Sequence, residues 1–183
     1  NNIQWAKQLE QAGIHVVYGI LGFKTHTKIS LIVRKEKGRL RNYFHIGTGN
    51  YNSNTSRFYT DVGLLSTDPD IASDLIELFN YLSGFSKQKT YQKLLVSPSS
   101  LREKFIFLIN REIENSRKGN KGEIIAKMNS LVDPEIIELL YLASQNGVKI
   151  NLIIRGICCL YPQRKNLSEN IKVKSIIGHF LEH

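Results

Sequence analysis

The feature that most restricts the folding of this chain is a helix running straight into an aliphatic strand, which occurs twice. Residues 3–12 place Ile3, Trp5, Ala6, Leu9 and Ala12 at helical spacing, Gly13 closes the helix, and IHVVYGI (14–20) follows as a buried strand. In the other half, PEIIELLYLASQNG has proline at its first helical position and glycine just after its end, and VKINLIIRGICCL (148–160) follows as a strongly apolar strand. Stretches 11–20 and 145–156 share this design, and each is followed downstream by a histidine, His26 and His183. This weak internal repeat predicts an α/β protein of two alike halves with mixed sheets, whose strand ends face one another across a shared site.

The remaining punctuation fills in the frame. KTHTKISLIVR (24–34) is a β-branched run that turns at Lys37-Gly38 and returns as RLRNYFHIG (39–47), a hairpin. GTGNYNSNTSR (47–57) carries turn residues throughout and reads as a loop. YTDVGLLS (59–66) reads as a strand, and after Asp68-Pro69 the apolar residues at 71, 75, 78, 79 and 82 make a helix ending near Gly84. Polar residues 86–93 separate a domain of residues 1–90 from one of residues 91–183. The second opens with a short strand in LLVSPSS, a long helix that stops at Gly119 and a strand in GEIIAKMNSLVD. It closes with IKVKSIIGHFLEH, a strand leading to the last residue.

Charge narrows the partners. Twenty-five Lys and Arg against sixteen Asp and Glu leave +9 over 183 residues, of which 42% are hydrophobic. Such a composition is globular and excludes disorder and fibrous repeats, while the surplus points to a polyanion: phosphate chains, nucleotides, nucleic acid or anionic lipid. No apolar run reaches the roughly 18 residues of a membrane span. Cys158 and Cys159 are adjacent, which disfavours a disulfide between them and offers neither a metal cage nor a redox pair. They read as core residues of a protein in a reducing, cytosolic setting.

The chemistry concentrates in Lys24-Thr25-His26-Thr27-Lys28 and, about twenty residues on, Gly47-Thr48-Gly49-Asn50. On a strand, alternate residues share a face, so His26 and Lys28 point together. An imidazole beside an ammonium suits phosphoryl transfer: the neutral ring nitrogen attacks phosphorus and the cation holds the equatorial oxygens. Gly47 and Gly49 let backbone N–H groups approach an anion, and Asn50 adds a donor. Without that loop, a His and Lys pair is commonly a solvated strand face. Asp61, on the same strand face as Tyr59, either orients an imidazole or is a strand-edge aspartate. His45 reads as a structural histidine, His15 and His179 as structural or exposed, and Asn129 and Asn170 as loop-holding residues. Arg34, Lys35, Lys37, Arg39 and Arg41 read as a solvated hairpin whose alternation splits the charge between faces.

HxK followed by G-[ST]-x-N resembles the phospholipase D superfamily signature, with Thr48 in the serine place. The longer strings KTHTK, HIGTGNYN, RFYTDVGLL, FNYLSGFS, NSLVDPEII, NLIIRGICCL and LSENIKVKSIIGHFLEH are similar, in order and over nearly the whole chain, to polyphosphate kinases of the histidyl-phosphate type. The superfamily's Asp five residues after the Lys is Val33 here, a departure that argues against a phosphodiesterase and fits the kinase resemblance.

That resemblance implies two phospholipase-D-like α/β halves, the second truncated at its C-terminus, and reversible transfer of the ATP γ-phosphoryl group to inorganic polyphosphate through a phosphohistidine. It implies His26 as the nucleophile and His183 as a second essential histidine acting as acid or base. Arg155 is implied as a ligand of the ATP phosphates and Tyr59 as a nucleotide contact, with Lys28 and Arg155 steadying the charge of the transition state. It further implies Mg2+ held by arginine-bearing segments outside these residues, ATP and ADP as substrates, a homo-oligomer and no nucleic-acid partner. The implied location is cytoplasmic, with room for peripheral attachment to the inner face of the membrane, and the isolated chain is expected to be inactive. Two rival readings stay open: a superfamily phosphodiesterase or phosphatidyltransferase, and a non-catalytic polyanion-binding module for which the net charge suffices.

Overall fold

The computed structural model describes residues 2–87 and 90–183. Its residues gather into two compact units, one of Asn1–Ile46 and Leu64–Leu94, the other of Gly47–Gly63 and Leu95–His183.

The first unit contains α1 (Asn2–Gln11), β1 (Ile29–Glu36), β2 (Arg39–Gly47), β3 (Gly63–Ser66) and α2 (Pro69–Leu82), the ends of β2 and β3 marking its junction with the other unit. The strands form a sheet in the order β1-β2-β3, and β1 and β2 are antiparallel from Ile29 opposite Ile46 to Glu36 opposite Arg39. The predicted hairpin turns on Lys37 and Gly38, both left-handed with φ of 48° and 80°, the backbone pair whose twist matches that of the flanking strands. α2 starts where the sequence places it because Asp68 caps it, its Oδ1 accepting from the amides of Asp70 and Ile71 at 3.0 Å each, with Pro69 at the first position. The helix buries Ala72, Leu75 and Leu78 and packs against β1. It also buries Asp74, whose carboxylate accepts from the amides of Gln92, Lys93 and Leu94 at 2.8, 2.7 and 2.9 Å.

Residues 14–20 depart from expectation: they have no regular structure and leave Ile14, Val17 and Tyr18 exposed. An aliphatic run becomes a strand only when a neighbouring strand takes its N–H and C=O groups in a ladder, and no strand pairs with these residues among the described ones. The internal repeat fails with it, since α1 leads into irregular chain rather than a strand. Two further strands are shorter than expected: β1 begins at Ile29 rather than residue 24, and only Gly63–Ser66 of the 59–66 stretch is strand.

The second unit contains α3 (Leu101–Arg117), β4 (Glu123–Met128), α4 (Pro134–Gln145), β5 (Lys149–Ile154) and β6 (Ile171–Lys174). Here the mixed sheet is corrected, because β4, β5 and β6, adjacent in that order, are all parallel. The connections explain it: β4 reaches β5 through α4, and β5 reaches β6 through the loop 155–170, neither of them a hairpin. α4 is capped by Asp133, which accepts from the amide of Ile136 at 3.1 Å. Ile150, Leu152 and Ile154 alternate inward along β5 and meet Ile109 and Ile113 of α3 and Ile137, Leu140 and Ala143 of α4 in the core. The LLV strand does not form, and the final strand stops at Lys174, leaving 175–183 irregular except for a parallel bridge between Phe180 and Thr60.

Candidate active site

His26 and Lys28 lie in the first unit, in irregular chain just before β1. Their side chains do not share a strand face, because the pleat that would alternate them begins only at Ile29. Lys28 is 9% exposed and donates from Nζ to the backbone carbonyl of His26 at 2.7 Å, while His26 itself is exposed. A buried ammonium needs oxygen partners, and this one ties down the backbone that carries the imidazole.

Gly47, Thr48, Gly49, Asn50, Tyr59 and Asp61 belong to the second unit. Thr48 locks the two ends of this loop together: its amide donates to the Val62 carbonyl at 3.0 Å, and its hydroxyl accepts from the Val62 amide at 3.1 Å and donates to Asp61 Oδ1 at 3.0 Å. Gly49 has a packing reason of its own. A Cβ there would stand 2.3 Å from Asp61 Oδ2, so the glycine makes room for the carboxylate that Thr48 holds. Asn50 is exposed, as is Tyr59 at 39%. Between Tyr59 and Asp61, Thr60 pairs with the end of the chain: its amide donates to the His179 carbonyl at 2.7 Å and its carbonyl accepts from the Leu181 amide at 3.0 Å. The His179 ring adds a close contact from Nδ1 to the Phe58 carbonyl. The structure thus joins the Tyr59 and Asp61 segment to the segment that ends in His183. Tyr59 and Asp61 flank a bridge residue rather than sharing a continuous strand.

Arg155 and Asn129 sit together for a different reason. Register pairs Met128 with Ile154, so the residues leaving β4 and β5 are neighbours at the carboxyl ends of parallel strands, where open α/β sheets place their ligands. The Arg155 amide donates to the Met128 carbonyl at 3.2 Å and the Gly156 amide to the Asn129 carbonyl at 2.7 Å. No side-chain hydrogen bond or ion pair engages the Arg155 guanidinium among the described residues, so its fork of donors is available to an anion.

Two residues escaped the sequence reading. Lys127 of β4 forms an ion pair with Glu182 and lies 5.8 Å from the centroid of the Phe180 ring. The ammonium beside Glu182 holds that carboxyl below the usual carboxylate range. The signal was present in a cation interrupting the apolar run of β4, although its partner 55 residues on was not. Glu182 Oε2 and His183 Nδ1 are buried without a hydrogen-bond partner among the described residues. No group of three His, Cys, Asp or Glu among the described residues stands close enough to hold a metal ion. No helix of the described residues is long and apolar enough to cross a membrane.

Residues 1–88 match the family described as polyphosphate kinase C-terminal domain 1, and residues 94–183 match polyphosphate kinase C-terminal domain 2. Among curated proteins, the chain is 68% identical over 183 residues to the polyphosphate kinase of Prochlorococcus marinus (strain MIT 9313) and 57% identical to that of Synechocystis sp. (strain ATCC 27184 / PCC 6803 / Kazusa). All of the chain is covered in both matches, but only 26% and 25% of those relatives, so it spans about a quarter of their length. Among solved structures, the polyphosphate kinase of Porphyromonas gingivalis matches with a TM-score of 0.87 and 38% identity, over 100% of this chain and 30% of that one.

Proposed function

The chain belongs to the polyphosphate kinase family, and from that premise we propose that it carries part of the machinery for reversible transfer of the ATP γ-phosphoryl group to polyphosphate through a phosphohistidine on His26. The reading extends to two phospholipase-D-like halves, residues 1–90 and 91–183, acting within a longer enzyme. One observation carries it: the buried Lys28 ammonium grips the His26 carbonyl at 2.7 Å and leaves the imidazole exposed. That is how a nucleophile is held in place while its ring stays open to substrate.

In the proposed step the neutral ring nitrogen attacks the γ-phosphorus, a P–N bond forms, the bridging P–O bond breaks, and ADP leaves. The terminal oxygen of a polyphosphate chain then attacks the same phosphorus and the P–N bond breaks, which frees the imidazole. Because one histidine both accepts and donates, the sequence runs equally in reverse. Arg155 suits the role of phosphate clamp, its guanidinium being unengaged among the described residues at the strand ends, and Lys28 supplies fixed positive charge beside the nucleophile. His183 would give a proton to the leaving oxygen and take it back. Tyr59 would pack against the nucleotide.

The test is incubation of the longer enzyme with γ-labelled ATP and mapping of label that is acid-labile and base-stable. Label on His26, lost in His26→Ala together with polymer synthesis, is the expected result. Covalent label retained in that variant would overturn the assignment.

A further inference from the structure

Within β4, six residues long, the one cation is Lys127, and a lysine on a largely apolar strand needs a reason. Its ammonium reaches Glu182 and the Phe180 ring, so a single side chain contacts the segment on both sides of Leu181. The backbone of the same segment is held independently by Thr60. Among the described residues Glu182 engages Lys127 through Oε1, while its Oε2 and the Nδ1 of the adjoining His183 are buried without a hydrogen-bond partner. A polar atom left unsatisfied in a buried place costs free energy, and a catalytic role is one reason for a protein to keep it.

Resting on the phosphotransfer reading above, we propose that Lys127 is a positioning residue for His183, acting through Glu182 to fix the segment that presents the imidazole. It touches no substrate. The pair of side chains sets where His183 stands, in the way that supporting residues must hold a reacting group to within about half an ångström.

Two readouts separate position from chemistry. In the longer enzyme, carbethoxylation of each of these five histidines is followed by mass spectrometry, with exposed His15 as the internal standard. Lys127→Met is expected to raise the rate at His183 roughly fivefold relative to His15 through local opening, and Lys127→Arg to leave it near the parent value. Glu182→Gln breaks the pair from the other side and should give the same rise, with the double variant adding nothing further. In the longer enzyme, Lys127→Met should lower kcat about tenfold with the KM for ATP unchanged, and Lys127→Arg should restore it.

An unchanged rate at His183, an Arg variant no better than Met, or an equal rise at all five histidines overturns the proposal, the last because it marks Lys127 as a general fold stabiliser. If the parent enzyme takes up no phosphoryl label, the phosphotransfer reading fails instead. The reactivity of His183 still decides whether Lys127 holds it.

Discussion

Gly49→Ala asks whether the glycine-rich loop is built to admit an anion or to seat Asp61. A Cβ at Gly49 would lie 2.3 Å from Asp61 Oδ2, 2.6 Å from Cγ and 3.1 Å from Cβ, distances that cannot stand. All three atoms belong to one side chain, so the backbone can stay and Asp61 must rotate out. It then loses the hydrogen bond from Thr48 Oγ1 at 3.0 Å, an exposed contact worth about 0.5–1.5 kcal/mol, and an off-rotamer compromise costs about the same again. Alanine recovers about 0.4–1 kcal/mol by restricting the unfolded chain. The net destabilisation is centred near 1 kcal/mol and reaches at most about 2.6 kcal/mol, a fall in melting temperature of up to roughly 10 °C for a chain of this size. Calorimetry of the parent, Gly49→Ala, Asp61→Ala and the double variant measures it. In the Asp61→Ala background Gly49→Ala should be neutral or stabilising, since the obstacle has gone. An equal cost in both backgrounds would refute the reasoning, and loss of polyphosphate binding in the double variant alone would return the loop to the anion.

Asp74→Ala strips a buried carboxylate from three backbone amides and should destabilise the first unit by about 3 kcal/mol or more, read as an earlier urea transition; no change would mean residues 92–94 find other acceptors. Asp68 and Asp133 both have folded-state carboxyls held below their ordinary range, the first mainly by Lys93 and the second mainly by Arg102, with amides at the helix starts contributing. Depressed carboxylates contribute stability that is complete above the unfolded value of about 3.9 and lost as pH falls further, so acid unfolding should steepen below about pH 4. Asp133→Asn keeps a capping side chain but should flatten that dependence when followed by circular dichroism. Lys28→Glu should weaken polyphosphate binding more than Lys37→Glu, because Lys28 is buried beside His26 while Lys37 sits in the hairpin turn; equal losses in titrations at two salt concentrations would mean diffuse attraction.

Local chemistry was legible where one short stretch determines the outcome. Asp68-Pro69 and Asp133-Pro134 each carry a capping carboxylate and a proline, and both start helices. Lys37-Gly38 is a complete hairpin turn in two residues. The misreadings fall where a partner decides. IHVVYGI and NLII look alike in sequence, but NLII lies in β5, flanked by β4 and β6, whereas IHVVYGI has no strand beside it among the described residues. His26 and Lys28 were placed on a shared face by a periodicity that starts one residue too late for them. The parallel sheet of the second unit was hidden because strand direction depends on the connection, and an apolar strand reads the same in either sense.

The least legible part of the candidate site is also the part that most affects how its variants are read. Residues 47–63 leave β2 and return in β3, yet they group with the second unit, and Thr60 joins positions about 120 residues further along the chain. No composition or spacing announces such a pairing, because each segment looks like an ordinary loop by itself. Its consequence is that Tyr59 and Asp61 bracket the residue that holds His179 and Leu181, so a substitution there disturbs the proposed nucleotide contact and the segment that ends in His183 together. A fall in turnover after Tyr59→Ala therefore does not identify Tyr59 as a ligand. Thr60→Pro supplies the missing comparison: it removes the N–H that donates to the His179 carbonyl and leaves the Tyr59 ring in place. If Thr60→Pro reproduces both the loss of turnover and the raised reactivity of His183, mooring accounts for the effect. A Tyr59→Ala variant that weakens ATP binding while His183 keeps its parent reactivity assigns the tyrosine to the nucleotide.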